Sequence, residues 1–393
     1  MTTLVAPPPP PAPTPPPTTP PTTNPPPLPS PRRSRDLRPQ DVGVLVGCAA
    51  AAVAAMWLVF DQMTLLSGPF GFVVCTVVTF LALYWSVHYQ LSGRLVANDR
   101  LVSAAVGLGA VSLAVPLVFM IEFVVVKGWH LISADLFVHD LKGVPEIPIP
   151  GVHKTGGLAH AIVGTLEQVG IAAMFGVPAG VITAVFLNEV GGRFTRTVRT
   201  VVTAMAGLPS IMAGLFIYSI WILWLSKYLP VVRGFSGLAG SMALAILLVP
   251  SITRTTEEVL KVVPGGLREA SMALGAPQWR TVWSVVLPTA RTGILTAVVL
   301  GVARAVGETA PLLFTIFGNQ VMNANPLHGP QESLPLFVWT NVKSSYQSRI
   351  TLAYTAALVL VGIVLFLFTL ARVLGSSRRT GRLRRAGRKQ VAT

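Results

Sequence analysis

Two stretches of this 393-residue chain hold residue types that could do chemistry or couple to it. The first is Ala303-Arg304-Ala305-Val306-Gly307-Glu308-Thr309-Ala310-Pro311-Leu312, set inside an apolar run. Arg304 and Glu308 stand four residues apart, which places them on one face of a helix and lets them pair. An ionised side chain at mid-membrane costs about 2.5–3.5 kcal/mol even on the lenient insertion scale, and such groups normally face a bundle interior or a water-filled path. Two readings compete. The pair could be a staple between helices. Alternatively, Arg304 attracts an anion in transit, and Glu308 orients the guanidinium and keeps it from holding too tightly. Guanidinium suits an oxyanion because its planar donors stay charged and bind in pairs. Gly301, Ala305 and Gly307 leave room for another helix or a solute. Thr309 adds a hydroxyl, and Pro311 weakens the helix just beyond.

The second stretch is 253–292, much the longest segment expected on the cytoplasmic side. Pro264, Gly265 and Gly266 break it. Leu267-Arg268-Glu269-Ala270-Ser271-Met272-Ala273-Leu274-Gly275 then reads as a short helix, with Gly275 as its C-terminal cap. Pro277 is placed to start a second helix running to Leu287-Pro288. Ala270, Ala273 and Leu274 share one side, where small side chains let another backbone come close. Arg268 and Glu269 are left to pair at the rim. Physically this is a compact knob suited to a groove in another protein.

Other chemistry finds little support. There is no G-x-x-x-x-G-K-[ST] string, so the chain is not expected to bind ATP through a P-loop of its own. No His, Cys, Asp or Glu cluster has metal-ligand spacing, and no cofactor is expected. Cys48 and Cys75 both lie in apolar runs. His88 and His160 fall at span ends and read as interfacial residues. Glu167, in the outer third of its span, reads as paired to a polar neighbour. Glu122 reads as interfacial, and Glu189, near Arg193, as solvated.

The elements that must carry these groups follow from composition. Hydrophobic residues make up 52% and charged residues 11%, against about 25% charged in a soluble domain. That excludes a soluble enzyme and predicts an all-α polytopic membrane protein. Eight spans are expected, at 42–64, 68–90, 101–127, 158–189, 199–225, 236–252, 293–318 and 350–374. In the fourth, Gly176 and Pro178 predict a kink or a projecting helix end. With eight spans both termini share one side. That side carries 22 Lys and Arg against seven on the other, which puts both termini in the cytoplasm. The first 40 residues, with half of the chain's 33 prolines, predict a polyproline-II-like tail rather than a secretory signal. The basic tail 376–393 is expected beside anionic lipid headgroups, and not on nucleic acid. The outside loops 128–157 and 319–349 could be simple connections or a surface for a partner.

The string Glu269-Ala270-Ser271, then Gly275, then Val285-x-Leu287-Pro288 resembles the coupling loop of ABC-importer permeases. Their pattern is E-A-A, three residues, G, nine residues, I-x-L-P, and Ser271 and Val285 are the two departures. The Arg304-to-Leu312 string looks like the signature of phosphate-specific permeases of the PstA type. With Gly164-Thr165-Leu166, the resemblance covers about residues 150–375. It implies a type I permease core of six transmembrane helices, here with two extra N-terminal ones. It implies a non-catalytic subunit of an ATP-driven phosphate importer, with Arg304, Glu308 and Thr309 on the substrate path. It further implies ATPase coupling through Arg268, Glu269, Ala270, Ala273, Leu274 and Gly275. The partners implied are a second permease of PstC type, a cytoplasmic ATP-binding subunit of PstB type and an extracytoplasmic phosphate-binding protein of PstS type. The division expected is a tail 1–40, an extra hairpin 41–100, a permease domain 101–375 and the tail 376–393. A permease for sulfate, molybdate or phosphonate would share the coupling loop. A secondary transporter with Glu308 or Glu167 as proton relay would not need it.

Overall fold

The computed structural model describes residues 39–63, 68–144, 156–228 and 234–376. Most of the proline-rich tail, the basic tail and Pro145, Pro148 and Pro150 lie outside the described residues. Among those described, eight helices are long and apolar enough to cross a membrane. No strand occurs among them beyond a single bridge between Phe317 and Gln331. In chain order the elements are α1 (Asp41–Asp61), α2 (Pro69–Ser92), α3 (Arg94–Leu131), α4 (Ala159–Val190), the short α5 (Thr195–Gly207), α6 (Ser210–Tyr228) and α7 (Gly237–Lys261). They continue with α8 (Gly265–Ala273), α9 (Gln278–Val306), α10 (Ala310–Thr315), α11 (Leu334–Asn341) and α12 (Gln347–Val373).

The described residues form two compact units, divided between Val115 and Pro116. In the first, α1 and α2 enclose Cys48, Ala52, Phe80 and Tyr84. An ion pair of 3.0 Å joins Arg100 to Asp41. His88 is buried against the ring of Tyr84, with centroids 4.6 Å apart, rather than interfacial.

The second unit is organised around α4 and α7. Gly176 and Gly180 lie four residues apart on α4, so both face α7. A β-carbon at Gly176 would sit 3.2 Å from Cβ of Leu248, and one at Gly180 would sit 2.9 Å from that of Ile252. Small residues at this spacing let two helix backbones approach closely, which drives helix association where lipid supplies no hydrophobic force. The Thr253 hydroxyl crosses the seam to the Gly180 carbonyl at 3.1 Å. Leu244, Leu248 and Ile252 continue the core toward Ala305, Leu312 and Ile316.

α4 stays helical on both sides of Pro178, which is exposed. Three expected boundaries are corrected. The fifth expected span divides. Residues 195–207 form α5, and Leu208 turns extended before Pro209, as residues before proline do. α7 continues to Lys261 instead of ending at 252, because the polar residues of its last turns find partners. Arg199, on α5, meets Glu257 at 2.8 Å. The seventh span starts at Gln278, so the second helix expected in the cytoplasmic loop is continuous with the membrane helix α9.

Filling the seam should loosen it. Gly180→Val is expected to lower stability by roughly 1–3 kcal/mol through overpacking. Ile252→Ala added to it should recover part of that loss, read as the unfolding midpoint of the full chain in lipid nanodiscs. Additive losses would show that the two positions do not touch.

Candidate functional site

The knob forms as its residues direct. α8 ends in a paired turn: the Gly275 N–H donates to the Met272 carbonyl at 2.9 Å, and the Ala276 N–H to the Ser271 carbonyl at 3.2 Å. Gly275 sits at φ +84°, where a side chain would be strained. Glu269, Ala270, Ala273 and Leu274 are exposed, Leu274 at 90%. Trp279 and Trp283, at the start of α9, are 62% and 69% exposed and extend this apolar surface beyond the residues expected from sequence. Ser271, where the resembled pattern has alanine, is within 2.9 Å of the Thr281 hydroxyl. That bond fixes α8 to α9.

Arg268 does not pair with Glu269 at the rim. Its Nε and Nη2 donate to the two carboxylate oxygens of Glu189, at 3.0 and 2.7 Å. Its Nη1 donates to the Val263 carbonyl at 2.7 Å, and Nη2 also to the Leu260 carbonyl at 3.1 Å. Glu189, expected to be solvated, has a side chain only 5% exposed. A two-oxygen, two-nitrogen fork of this kind is among the stronger protein hydrogen bonds. Here it ties the knob to the ends of α4 and α7 at once. Asn188 supports the carboxylate at 2.6 Å, and the Gln278 amide donates to the Glu189 carbonyl. The bonded Glu189 carboxylate also raises the Arg268 pKa above its already high ordinary value.

The Arg304 site differs from a pair on one helix face. α9 ends at Val306 and α10 begins at Ala310. Pro311 offers no N–H to the Gly307 carbonyl four residues back, so the helix cannot continue through this point. Glu308 lies in the break, and its carboxylate still reaches Arg304 Nε at 3.7 Å. Arg304 stands in the last turn of α9, rather than at the middle of a span. Gly301 and Ala305 are filled by the chain's own packing: a β-carbon at Gly301 would lie 2.8 Å from Ile252 Cγ1. Pro311 seats on Gly214 of α6. The open side is that of Arg304 itself, whose side chain is 74% exposed while that of Glu308 is 20% exposed. At 3.7 Å the contact is well beyond a charge-assisted hydrogen bond, so the guanidinium keeps free donors. Thr309 is the N-cap residue of α10 and makes no side-chain cap bond.

On the far face the 319–349 segment is part of the fold. The Leu334 N–H donates to the Thr165 hydroxyl at 2.8 Å, and a β-carbon at Gly164 would collide with the Glu332 carbonyl. Glu167 accepts from the Gln331 amide at 2.8 Å, the polar pairing expected of it. The Met322 N–H donates to Asp140 at 2.9 Å, which joins the segment after α3 to the segment after α10. That bond, with one from the Lys142 N–H, holds the Asp140 carboxyl below its usual pKa. His160 is buried against Phe337 rather than interfacial. Glu122 is exposed on α3. No group of three or more metal-ligating side chains occurs among the described residues.

An α-helical membrane unit with this knob belongs to a known class: residues 176–380 match the binding-protein-dependent transport system inner membrane component, and the chain belongs to that family. Its fold is accordingly that of an all-α polytopic permease. It is 40% identical over 255 residues to phosphate transport system permease protein PstA 1 of Mycobacterium tuberculosis (strain CDC 1551 / Oshkosh), an alignment spanning 64% of this chain and 79% of that protein. Phosphate transport system permease protein PstA of Mycobacterium leprae is similar at 40% over the same shares. That of Pasteurella multocida is similar at 37%, over 61% of this chain and 85% of that protein. Among solved structures, an inward-facing MetNI methionine ABC transporter chain aligns at 21% identity and a TM-score of 0.46, over 56% of this chain and 96% of that one.

Removing one half of the Arg268–Glu189 fork should free the knob. Arg268→Ala is expected to weaken its attachment by about 2 kcal/mol, or roughly thirtyfold in local opening. Faster hydrogen exchange over 265–276, with the α4–α7 seam unchanged, would show it. Glu189→Ala should do the same, and the double variant should be no worse than either alone.

Proposed function

We propose that this chain is a membrane-spanning permease subunit of an ATP-driven importer of inorganic phosphate, and is not itself catalytic. The observation that carries this reading is the exposed Arg304 guanidinium at a helix break. A charge on a membrane-spanning helix is tolerated against another protein or a water-filled path and not against lipid. The open side of Arg304 therefore fits the wall of a path that a second permease, of PstC type, completes. The relatives are named for phosphate transport, and a guanidinium with free donors suits that oxyanion. Glu308, held loosely, keeps Arg304 aimed, and Thr309 adds a hydroxyl at the same break.

Coupling follows from the knob. Ala270, Ala273 and Leu274 meet a cytoplasmic ATP-binding subunit of PstB type, with Glu269 at the edge and Gly275 closing the helix. Arg268 acts by holding the knob to α4 and α7. A binding protein of PstS type delivers phosphate on the opposite side. The excess of Lys and Arg on one side supports a cytoplasmic position for both termini. The permease domain is 101–375, preceded by the hairpin 41–100 and the tail 1–40 and followed by the tail 376–393.

The test is uptake of radiolabelled phosphate at low external concentration, in cells whose only high-affinity importer contains this chain, with sulfate uptake alongside. Arg304→Ala should lower phosphate uptake about tenfold or more, since a charge-assisted hydrogen bond contributes about 1.5–3 kcal/mol. The complex should still assemble. Normal uptake by Arg304→Ala would make the Arg304–Glu308 contact a staple only. Loss of sulfate uptake in its place would assign a different oxyanion.

A further inference from the structure

A second site lies among α11, α12 and the segment between them. A cavity of about 280 Å³ is lined by Glu332, Thr340, Asn341, Ser344, Tyr346 and Arg349, among others. Arg349 is only 5% exposed, and its Nη1 and Nη2 are buried without a hydrogen-bond partner. No carboxylate among the described residues forms an ion pair with it. A buried guanidinium left unpaired is costly, and replacing it with an apolar side chain is often neutral or stabilising. Its neighbours do not serve it. The Thr340 hydroxyl donates to the Leu336 and Phe337 carbonyls, and the Asn341 amide to Phe337. Ser344 Oγ accepts from the Tyr346 N–H, which leaves its own O–H to donate. The donors left open in the lining are thus the two guanidinium nitrogens of Arg349 and the Ser344 hydroxyl.

We propose that this cavity binds an oxyanion of the size and charge of inorganic phosphate, with the Arg349 guanidinium as its principal donor. A tetrahedral oxyanion presents several acceptor oxygens to these donors, and Arg is the side chain whose fork fits two of them at once. Glu332 does not oppose it. Its carboxyl accepts the Ser333 N–H at 3.1 Å and also the Asn319 N–H, yet burial pushes its pKa up to about 8. At neutral pH it is an uncharged acid with a proton to donate. None of the residues from Arg304 to Thr309 lines this cavity. In the orientation proposed above it opens on the side from which phosphate arrives, so it is a waiting position ahead of Arg304. That placement, and the choice of phosphate as probe, rest on the proposed function.

The test is equilibrium binding of radiolabelled inorganic phosphate to the full chain in lipid nanodiscs, in an Arg304→Ala background and without binding protein. Saturable binding of one phosphate per chain is expected. Adding Arg349→Met should weaken it at least tenfold while leaving the unfolding midpoint unchanged or higher. Arg349→Lys, which keeps the charge and loses the fork, should fall between. It also serves as the test if Arg349→Met does not assemble. Competition by sulfate but not by chloride supports an oxyanion site. The inference is overturned if the Arg304→Ala chain shows no saturable binding, if Arg349→Met binds as tightly as its parent, or if chloride competes equally. Normal phosphate uptake by cells with such a result would sink this inference alone. Absence of phosphate uptake with the unaltered chain would sink the proposed function.

Discussion

Everything in the larger unit hangs on how closely α7 can lie against α4. In lipid there is no hydrophobic gain from bringing two apolar helices together, so contact must come from packing and from polar groups that cross the seam. Gly176 and Gly180 remove the side chains that would hold α7 off, and Thr253 donates across the gap to Gly180. With α7 fixed, Ile252 fills the space beside Gly301 and positions α9. The end of α9 then presents Arg304 outward, while Leu312 and Ile316 turn inward to the same core. The exposed guanidinium and the buried seam are two sides of one packing solution.

The polar contacts of this unit gather at its two faces. On one, Arg268 gathers the ends of α4, α7 and α8 through Glu189 and two carbonyls. On the other, Thr165, Glu167 and Gln168 hold the segment Gln331–Leu334. Between them α4 is apolar and small-sided. This division suits a helix that must pass through hydrocarbon, where each unsatisfied polar group is expensive. It also explains why 319–349 is more than a connection, since its buried residues Leu334, Leu336 and Phe337 complete the core.

The number of spans and the knob with its Gly275 cap were legible in the sequence because each depends on neighbours in the chain. Apolar length marks a span, and a glycine after a short amphipathic turn marks a helix end. The failures share a different cause. Glu189 looked solvated because its partner, Arg268, is 79 residues away. α7 looked short because Glu257 and Thr253 are polar, and their partners Arg199 and Gly180 lie on other elements. The break after Val306 was within reach, since Pro311 denies Gly307 a donor. The four-residue spacing of Arg304 and Glu308 argued for a continuous helix and won. The buried Arg349 had no local signal, because only the folding of α11 over α12 encloses it.

α4 is unbroken from Ala159 to Val190, 32 residues, or about 48 Å at 1.5 Å per residue. One end is clamped to the knob by Glu189. The other is clamped through Thr165 and Glu167 to the segment leading into α11. A helix joined at both ends puts the two clamps in one continuous element. Pro178 and the wider π turn over Phe186–Val190 are the two places along it where the α-helical hydrogen bonding changes, and the second lies at the Glu189 clamp itself.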